Sequence, residues 1–479
     1  MAVKRWFTLL FALAMVGCGD GGGGDSTETE AMRQAARDAY IYGYPLVLME
    51  RTRQVSTAVS SPEGSRAPMN QYAHIRTFPD PDFKDVVSPN VDTLYSIAWL
   101  DLVKEPLVVT VPDARAYATP DSEPRYYLLQ MLDAWTNVFD SPGLRTRGPE
   151  ARAFLLTGPN WQGEVPAGLE RIAAPTSIVW ITGRTHVLDA ADMPTVHAFQ
   201  DALKLVPLSQ WGGPSVPPAV IPVDENVDIS TPPPTQVDEL DAQQFFSELA
   251  ALMKENPSAA YDGPMLEKLD ILGLVAGQPF DLTSKPLAAS IAIKEGYAVG
   301  KAKLRALVSH SGGTPVNGWT VMTSGIGEYG DNYDVRAVTA VVGLGANLPE
   351  DAVYPRAAID GAGEPMASTG KYTLTFQPGQ WPPANAFWSL TLYDSGQAVV
   401  KNPINRYAVG DRSGLVPNPD GSLTIHIQKD AVAGAMANNW LPAPQGENQA
   451  FNLIMRVYWP KSEMLDGTWV VPPVQRAAD

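Results

Sequence analysis

FPDPDFKDVVSPNVDTLYSIAWLDL, residues 78–102, runs from a turn-rich, charge-bearing loop straight into the most strand-like segment of the N-terminal half. Proline, aspartate, serine and asparagine dominate the loop, and β-branched and aromatic residues follow. Asn90, Asp92 and Tyr95 lie where loop becomes strand, and His74 and Arg76 stand a few residues upstream in YAHIRTF. A rigid sheet can hold loop side chains in place, which makes this junction the prime candidate for a functional surface.

Working outward, LYSIAWLDL, PLVVTV, RYYLLQMLDAW, AFLLTG and TSIVWITG between Leu94 and Gly183 are short, strand-like and bounded by turn residues. No long amphipathic helix separates them, so they predict an antiparallel sandwich or barrel-like domain. Upstream, Thr27 and Glu30 have capping-box spacing and predict a helix start, with Ala36, Tyr40 and Tyr44 as packing residues and Pro45 as a kink or break. MPTVHAFQDALKLVPL reads as one helix, with His197 as a structural residue on it. Residues 212–234 hold seven prolines without periodicity and read as an extended connector. Helical periodicity occupies 241–310, and VRAVTAVV in 335–342 is a further short helix. GKYTLTFQPG, NAFWSLTLYD, SLTIHIQ and AFNLIMRVYWP then return the chain to strands.

The expected fold is therefore mainly β with helical connections (α+β): two sandwich or jelly-roll-like domains bridged by a helical segment. The boundaries are a signal peptide over 1–17, a flexible tether over 18–26 and an N-terminal β-rich domain over 27–211. The connector over 212–234, a helical bridge over 235–345 and a C-terminal β-sandwich over 346–479 complete the chain. At 479 residues, two to three cores fit, and 40 glycines with 43 prolines favour many turns between short strands.

The amino terminus reads as an export signal. Lys4 and Arg5 precede an apolar run from Trp6 to Val16, and Gly17 leads into Cys18, the only cysteine in the chain. The run is too short to span a bilayer comfortably. Its ending resembles the lipobox of bacterial lipoproteins, which implies acylation of Cys18 and a lipid-anchored protein on the periplasmic side of the cell envelope, at the outer membrane rather than the inner. A lone cysteine has no disulfide partner and no companion thiolates for metal.

The formal charge is −17, and loss of Lys4 and Arg5 with the leader makes it two charges more negative. No basic block offsets it, so nucleic acid is a poor partner. The expected partners are the bilayer, through Cys18, and an unidentified polar ligand; a homo-oligomer is compatible with the sandwiches. HExxH, P-loop, GxSxG and CxxC motifs are absent. GIGEYG over 325–330 matches GxGxxG but lacks the βαβ surroundings that dinucleotide binding requires. The five histidines include no pair at ligand spacing, so the sequence implies neither cofactor nor metal, although a carboxylate-rich calcium site is not decided by spacing.

Longer motifs add a resemblance. YIYGYPLVLMERT, DVVSPNVDTLYSIAWLDL and YYLLQMLDAWTNVFDSPGLRTRG resemble the bacterial domain-of-unknown-function family numbered 1254. VVGLGANLPEDAVYP, FWSLTLYDSGQAVVKNPINRYAVGDRSGL, NPDGSLTIHIQ, NWLPAP and FNLIMRVYWP resemble its usual partner, the family numbered 1214. The resemblance covers most of residues 38–475 and implies two β-rich domains joined through helices. It implies no established reaction, so function must be argued from a site.

Two classes of function compete for that site. An exported acid/base enzyme acting on a polar small-molecule or glycan-like substrate would use His74, Asp92 and Tyr95 as catalytic groups, with Arg76, Asn90, Trp135 and Asn137 binding substrate. Tyr126, Asp133, Arg406 and Tyr407 are secondary candidates. This reading needs the loop residues to converge on one pocket. Against it stands a noncatalytic envelope protein that binds or assembles, in which Asn90 and Asp92 fix a turn and Arg76 pairs with a carboxylate. Such a protein would present a shallow aromatic strip, for which Trp381, Trp388, Trp440 and Trp459 are available.

Overall fold

The computed structural model describes residues 23–82, 87–119, 123–214, 216–217, 220–311 and 313–477. Cys18 and the leader lie outside them, as does the first part of the tether.

A helix α1 (Gly23–Thr57) starts four residues before the predicted capping box and passes through Pro45 without a break. It is followed by β1 (Ala73–His74), β2 (Thr93–Asp101), β3 (Leu107–Val111), β4 (Tyr127–Asp133) and β5 (Val138–Asp140). A single-turn helix α2 (Leu144–Arg147) leads to β6 (Arg152–Thr157), β7 (Glu170–Ala173) and β8 (Ile178–His186). The segment predicted as one helix divides into α3 (Met193–Ala202) and β9 (Lys204–Pro207), because Lys204–Pro207 pairs with β3. Ladder hydrogen bonds override the local helical period there.

These strands form two sheets, β1-β2-β8-β4-β5 and β7-β6-β3-β9. Ala98, Leu100, Leu129, Met131, Val179 and Ile181 of the first pack onto Leu107, Val109, Phe154 and Leu156 of the second, with Phe199 of α3 closing the edge. This is a sandwich whose apolar residues recur at every second position, as a half-buried strand requires.

The connector 212–234 is almost wholly exposed, and α4 (Pro233–Glu239) begins at its end. Then come α5 (Ala242–Leu252), α6 (Gly263–Ile271), α7 (Leu287–Ser309) and α8 (Tyr333–Gly343). All pack around α1 in one core that includes Tyr40, Tyr44, Phe245, Phe246 and Tyr297. The first helix thus joins the bridge helices and not the β-sandwich that follows it. Contact with α7 is close enough to demand glycine: a Cβ on Gly296 would stand 2.2 Å from the Arg33 carbonyl oxygen, and one on Gly300 2.9 Å from that of Arg37.

The second sandwich contains β10 (Ala352–Val353), β11 (Arg356–Ala357), β12 (Tyr372–Phe376), β13 (Ala384–Asp394), β14 (Ala408–Gly410), β15 (Leu423–Gln428), β16 (Trp440–Pro442) and β17 (Phe451–Pro460). A one-turn helix α9 (Ser462–Leu465) and β18 (Val474–Arg476) finish the chain. One sheet runs β10-β17-β13-β14, with β11 also on β17, and the other β16-β15-β12-β18. Trp388, Leu390, Leu392, Leu453, Met455 and Val457 face inward to Leu374, Phe376, Ile425 and Ile427. By the same alternation Phe387, Ser389, Thr391, Tyr393, Arg456 and Tyr458 face outward, toward the N-terminal sandwich.

Candidate functional site

The loop-to-strand junction is a buried joint between the two sandwiches. Asn90 accepts hydrogen bonds at Oδ1 from the Asp92 and Thr93 amides, 2.6 and 3.1 Å away, which fixes the turn into β2. Its Nδ2 donates to Tyr458 Oη at 2.8 Å, across the domain boundary. Asp92, fully buried, accepts from Ser389 Oγ at 2.6 Å and pairs with Arg412. Tyr393 Oη and Arg456 Nη2 donate to the carbonyls of Pro89 and Ser88. Neither Asn90 nor Asp92 presents a free edge to a substrate, and both do the work of a turn and a domain clamp.

The five junction residues do not share a pocket. Residues paired across β1 and β2 put His74 beside Ser96, with Nδ1 and Oγ 2.9 Å apart, on the face that carries Ala98 and Leu100. Burial, with the Arg76 charge adding to it, lowers the His74 pKa to about 4, so the ring is neutral at physiological pH. Arg76 turns to α3, donating to the His197 carbonyl and Gln200 Oε1 and pairing with Asp201. His197 in return places Nε2 2.8 Å from the Arg76 carbonyl oxygen. Tyr95, an odd-numbered neighbour of Ser96, points to the other face of the sheet.

Trp135 and Asn137 belong to a different place again, the tight turn between β4 and β5. Asp133 Oδ1 accepts from the backbone amides of Trp135 and Asn137, both at 2.9 Å, and Oδ2 from Asn137 Nδ2 at 3.0 Å. Burial raises the Asp133 pKa to about 6 against these hydrogen bonds. Trp135 is core, donating Nε1 to the Asn256 and Pro257 carbonyls. Its ring, with those of Tyr42 and Tyr333, surrounds the buried Arg336 guanidinium at 5.1–5.3 Å. Three aromatic faces replace a carboxylate there, and the arrangement ties the helical core to the first sandwich.

The remaining candidates are structural as well. Arg406 donates to the carbonyls of Ala437 and Trp440. Among the described residues the Tyr407 hydroxyl reaches only Asn405 Oδ1, at 3.4 Å. Trp388 and Trp440 are buried, so the four tryptophans form no exposed strip. The GIGEYG segment is a loop ahead of α8 and no βαβ unit surrounds it.

What does assemble lies on the far face of the β1-β2-β8-β4-β5 sheet. Register places Thr93, His186 and Tyr126 in one cross-strand row, Tyr95 and Arg184 in the next, and Ile97, Thr182 and Gln130 in a third. The C-terminal sandwich covers this face: Phe387 stacks on His186 at 3.7 Å and on Tyr458 at 4.3 Å, and meets Tyr126 edge-on. Asn347 donates to Gln130 Oε1 at 2.7 Å and accepts from Tyr354 Oη at 2.6 Å.

Arg184 is the centre of this layer. Its Nη1 donates to Tyr95 Oη, and its guanidinium lies 4.7 Å over the Tyr95 ring. Burial opposes the charge, but a guanidinium does not give up its proton in a protein, so Arg184 stays a cation. Burial raises Tyr126, Tyr354 and Tyr458, keeping all three phenols protonated. Asp92 is matched by Arg412, and Asp351 by Arg145 at 2.6 Å. Among the described residues Arg184 and Arg456 have no carboxylate within ion-pair distance, and Arg184 Nε has no hydrogen-bond partner at all. Arg184, Tyr95 and Tyr354 nonetheless retain accessible surface, so the cluster borders open space.

Fold and site together define a protein of two β-sandwiches, held side by side on a helical core, with a cationic, phenol-rich layer between them. Residues 69–207 match the family model described as a protein of unknown function, DUF1254, and residues 351–462 match the one described likewise, DUF1214. The chain therefore carries the paired domains in the expected order, and the two matches cover β1–β9 and β10–β17 while leaving α1, the bridge helices and β18 outside. The crystal structure of a Vibrio parahaemolyticus protein is similar at 22% identity and a TM-score of 0.71, covering 93% of this chain and 100% of that one. A putative uncharacterized protein from Burkholderia cenocepacia is similar at 12% identity and a TM-score of 0.41, covering 95% of this chain and 94% of that one. No curated protein matches the chain.

Proposed function

We propose that this protein is a cell-envelope lipoprotein, anchored through Cys18 at the outer membrane, that binds a polar anionic ligand between its two sandwiches. The observation that carries the reading is Arg184: a cation in an acidic protein, ringed by phenols, lacking a carboxylate partner and bordering open space. An unpaired charge set between domains is costly unless something compensates it, and a ligand anion does so. The acid/base reading loses ground, because Asp92 is committed to Arg412 and Ser389, and His74 lies on the opposite face from Tyr95.

Melting the full-length protein with acetate or inorganic phosphate, at fixed ionic strength, tests the binding reading. Either anion should raise the wild-type melting temperature and leave Arg184→Met unmoved; equal shifts in both proteins would defeat it. For the anchor, Cys18→Ser should move the protein out of the membrane fraction, and retention there would count against acylation.

A further inference from the structure

The reading above leaves open how Arg184 would recognise an anion, and the answer lies in which of its nitrogens are already used. Nη1, at one end of the guanidinium, is engaged by Tyr95 Oη. Nε has no partner, and no hydrogen bond or ion pair engages Nη2 among the described residues. The Nε–H and Nη2–H bonds lie side by side and nearly parallel, the edge that grips two oxygens of one carboxylate or phosphate at once.

Two further hydroxyls stand within electrostatic reach of Arg184. The Tyr126 side chain, packed between Phe387 and Tyr458, makes no hydrogen bond among the described residues. Tyr458 Oη accepts from Asn90 Nδ2, so its own proton is free to be donated. Tyr354 differs, since its proton is committed to Asn347 Oδ1. Arg184 Nε, Arg184 Nη2, Tyr126 and Tyr458 therefore each have a proton to donate, and no carboxylate hydrogen-bonds to any of them among the described residues; Asp351, the acid that acts on Tyr126, is paired with Arg145. Four available donors, two of them on one guanidinium edge, fit an oxyanion.

We propose that the Nε/Nη2 edge of Arg184, with the Tyr126 and Tyr458 hydroxyls, is an oxyanion-binding fork that takes the anionic end of the ligand, and that Tyr95 is its positioning residue. This rests on the interdomain binding reading and adds a geometry to it. Tyr95 acts through Arg184: by holding Nη1 and underlying the guanidinium plane, it fixes the orientation of the opposite edge.

The experiment is calorimetric titration of the full-length protein with acetate, inorganic phosphate and chloride at constant ionic strength. Acetate and phosphate carry the shared oxyanion chemistry and tell a carboxylate ligand from a phosphate one, whereas chloride has the charge without the paired oxygens. The fork predicts binding of one or both oxyanions and none of chloride. Arg184→Lys keeps the charge and loses the edge, and should weaken oxyanion binding about 10-fold or more. Tyr126→Phe removes one donor and should weaken it several-fold. Tyr95→Phe should narrow the preference for oxyanion over chloride, which loss of a merely structural hydroxyl would not do. Ligand-free melts identify any variant that fails to fold, and Tyr126→Phe, the mildest change, carries the test if Arg184→Lys does.

Wild-type affinity in both Arg184→Lys and Tyr126→Phe would overturn the fork while leaving charge-based binding in place. Wild-type affinity in Arg184→Met as well would overturn the interdomain reading itself. Failure of wild-type protein to bind any of the three would overturn both.

Discussion

The two faces of the β1-β2-β8-β4-β5 sheet are built from the same strands and differ in everything else. One carries Ala98, Leu100, Leu129, Met131, Val179 and Ile181 and packs on the second sheet of its own sandwich. The other carries Tyr95, Gln130, Thr182 and Arg184 and meets a separate domain. Side chains alternate along a strand, so a single segment such as LYSIAWLDL supplies core to one side and chemistry to the other. Stability on the first face comes from area removed from water, and on the second from matching each buried polar group to a partner. Where the matching is incomplete, at Arg184, the second face has capacity left for a ligand.

The contrast breaks most visibly at the edge of the polar face, where Asp92 clamps the domains. Asp92→Ala leaves the partly buried Arg412 without its carboxylate and should cost up to ~3–5 kcal/mol of unfolding free energy in a denaturant titration. A wild-type midpoint would mean that the clamp contributes nothing.

On the apolar face, Ile181→Ala should cost about 2–5 kcal/mol through lost burial and the cavity left behind. Its oxyanion affinity, measured where the variant is still folded, should equal that of wild type. Loss of affinity in step with stability would show that the faces are not separable.

The smallest effect is a pH dependence placed on the apolar face by His74. Its folded-state pKa of about 4 lies below the ordinary 6.5, chiefly because of burial. The neutral ring is the form that fits, so its contribution is fully present above pH 6.5. It is lost as pH falls from 6.5 toward 4, by at most roughly 3 kcal/mol. His74→Gln should flatten stability across that window; an unchanged slope would assign the acid sensitivity elsewhere, with buried His186 the next group to examine.

Reading the sequence located both sandwiches, the bridge helices and the exposed proline-rich connector, since each depends on local period and turn chemistry. Asn90 and Asp92 read from the sequence as either catalytic groups or turn formers; their hydrogen bonds go to backbone neighbours and to Ser389, Arg412 and Tyr458. Of the proposed set only Tyr95, with Tyr126 among the secondary candidates, faces the Arg184 layer. The one signal of Arg184 in the sequence is an arginine set at the end of the apolar run of TSIVWITGRTH. Its partner was not legible, because Tyr95 and Arg184 are 89 positions apart and meet only through strand register.

By itself, then, the sequence determined which segments are strands and helices and which residues of each strand share a face, because these follow from spacing along one chain. It also set the acidity of the surface and the expectation of an anchor at Cys18. Only the tertiary structure decided that α1 joins the bridge helices, that Lys204–Pro207 pairs with β3 as a strand, and that His74 and Tyr95 lie on opposite sides of one sheet. Only the docking of two sandwiches could leave Arg184 among phenols without an acid. Ion pairing and burial are properties of the space between segments, and no spacing within a segment encodes what will arrive on the other side.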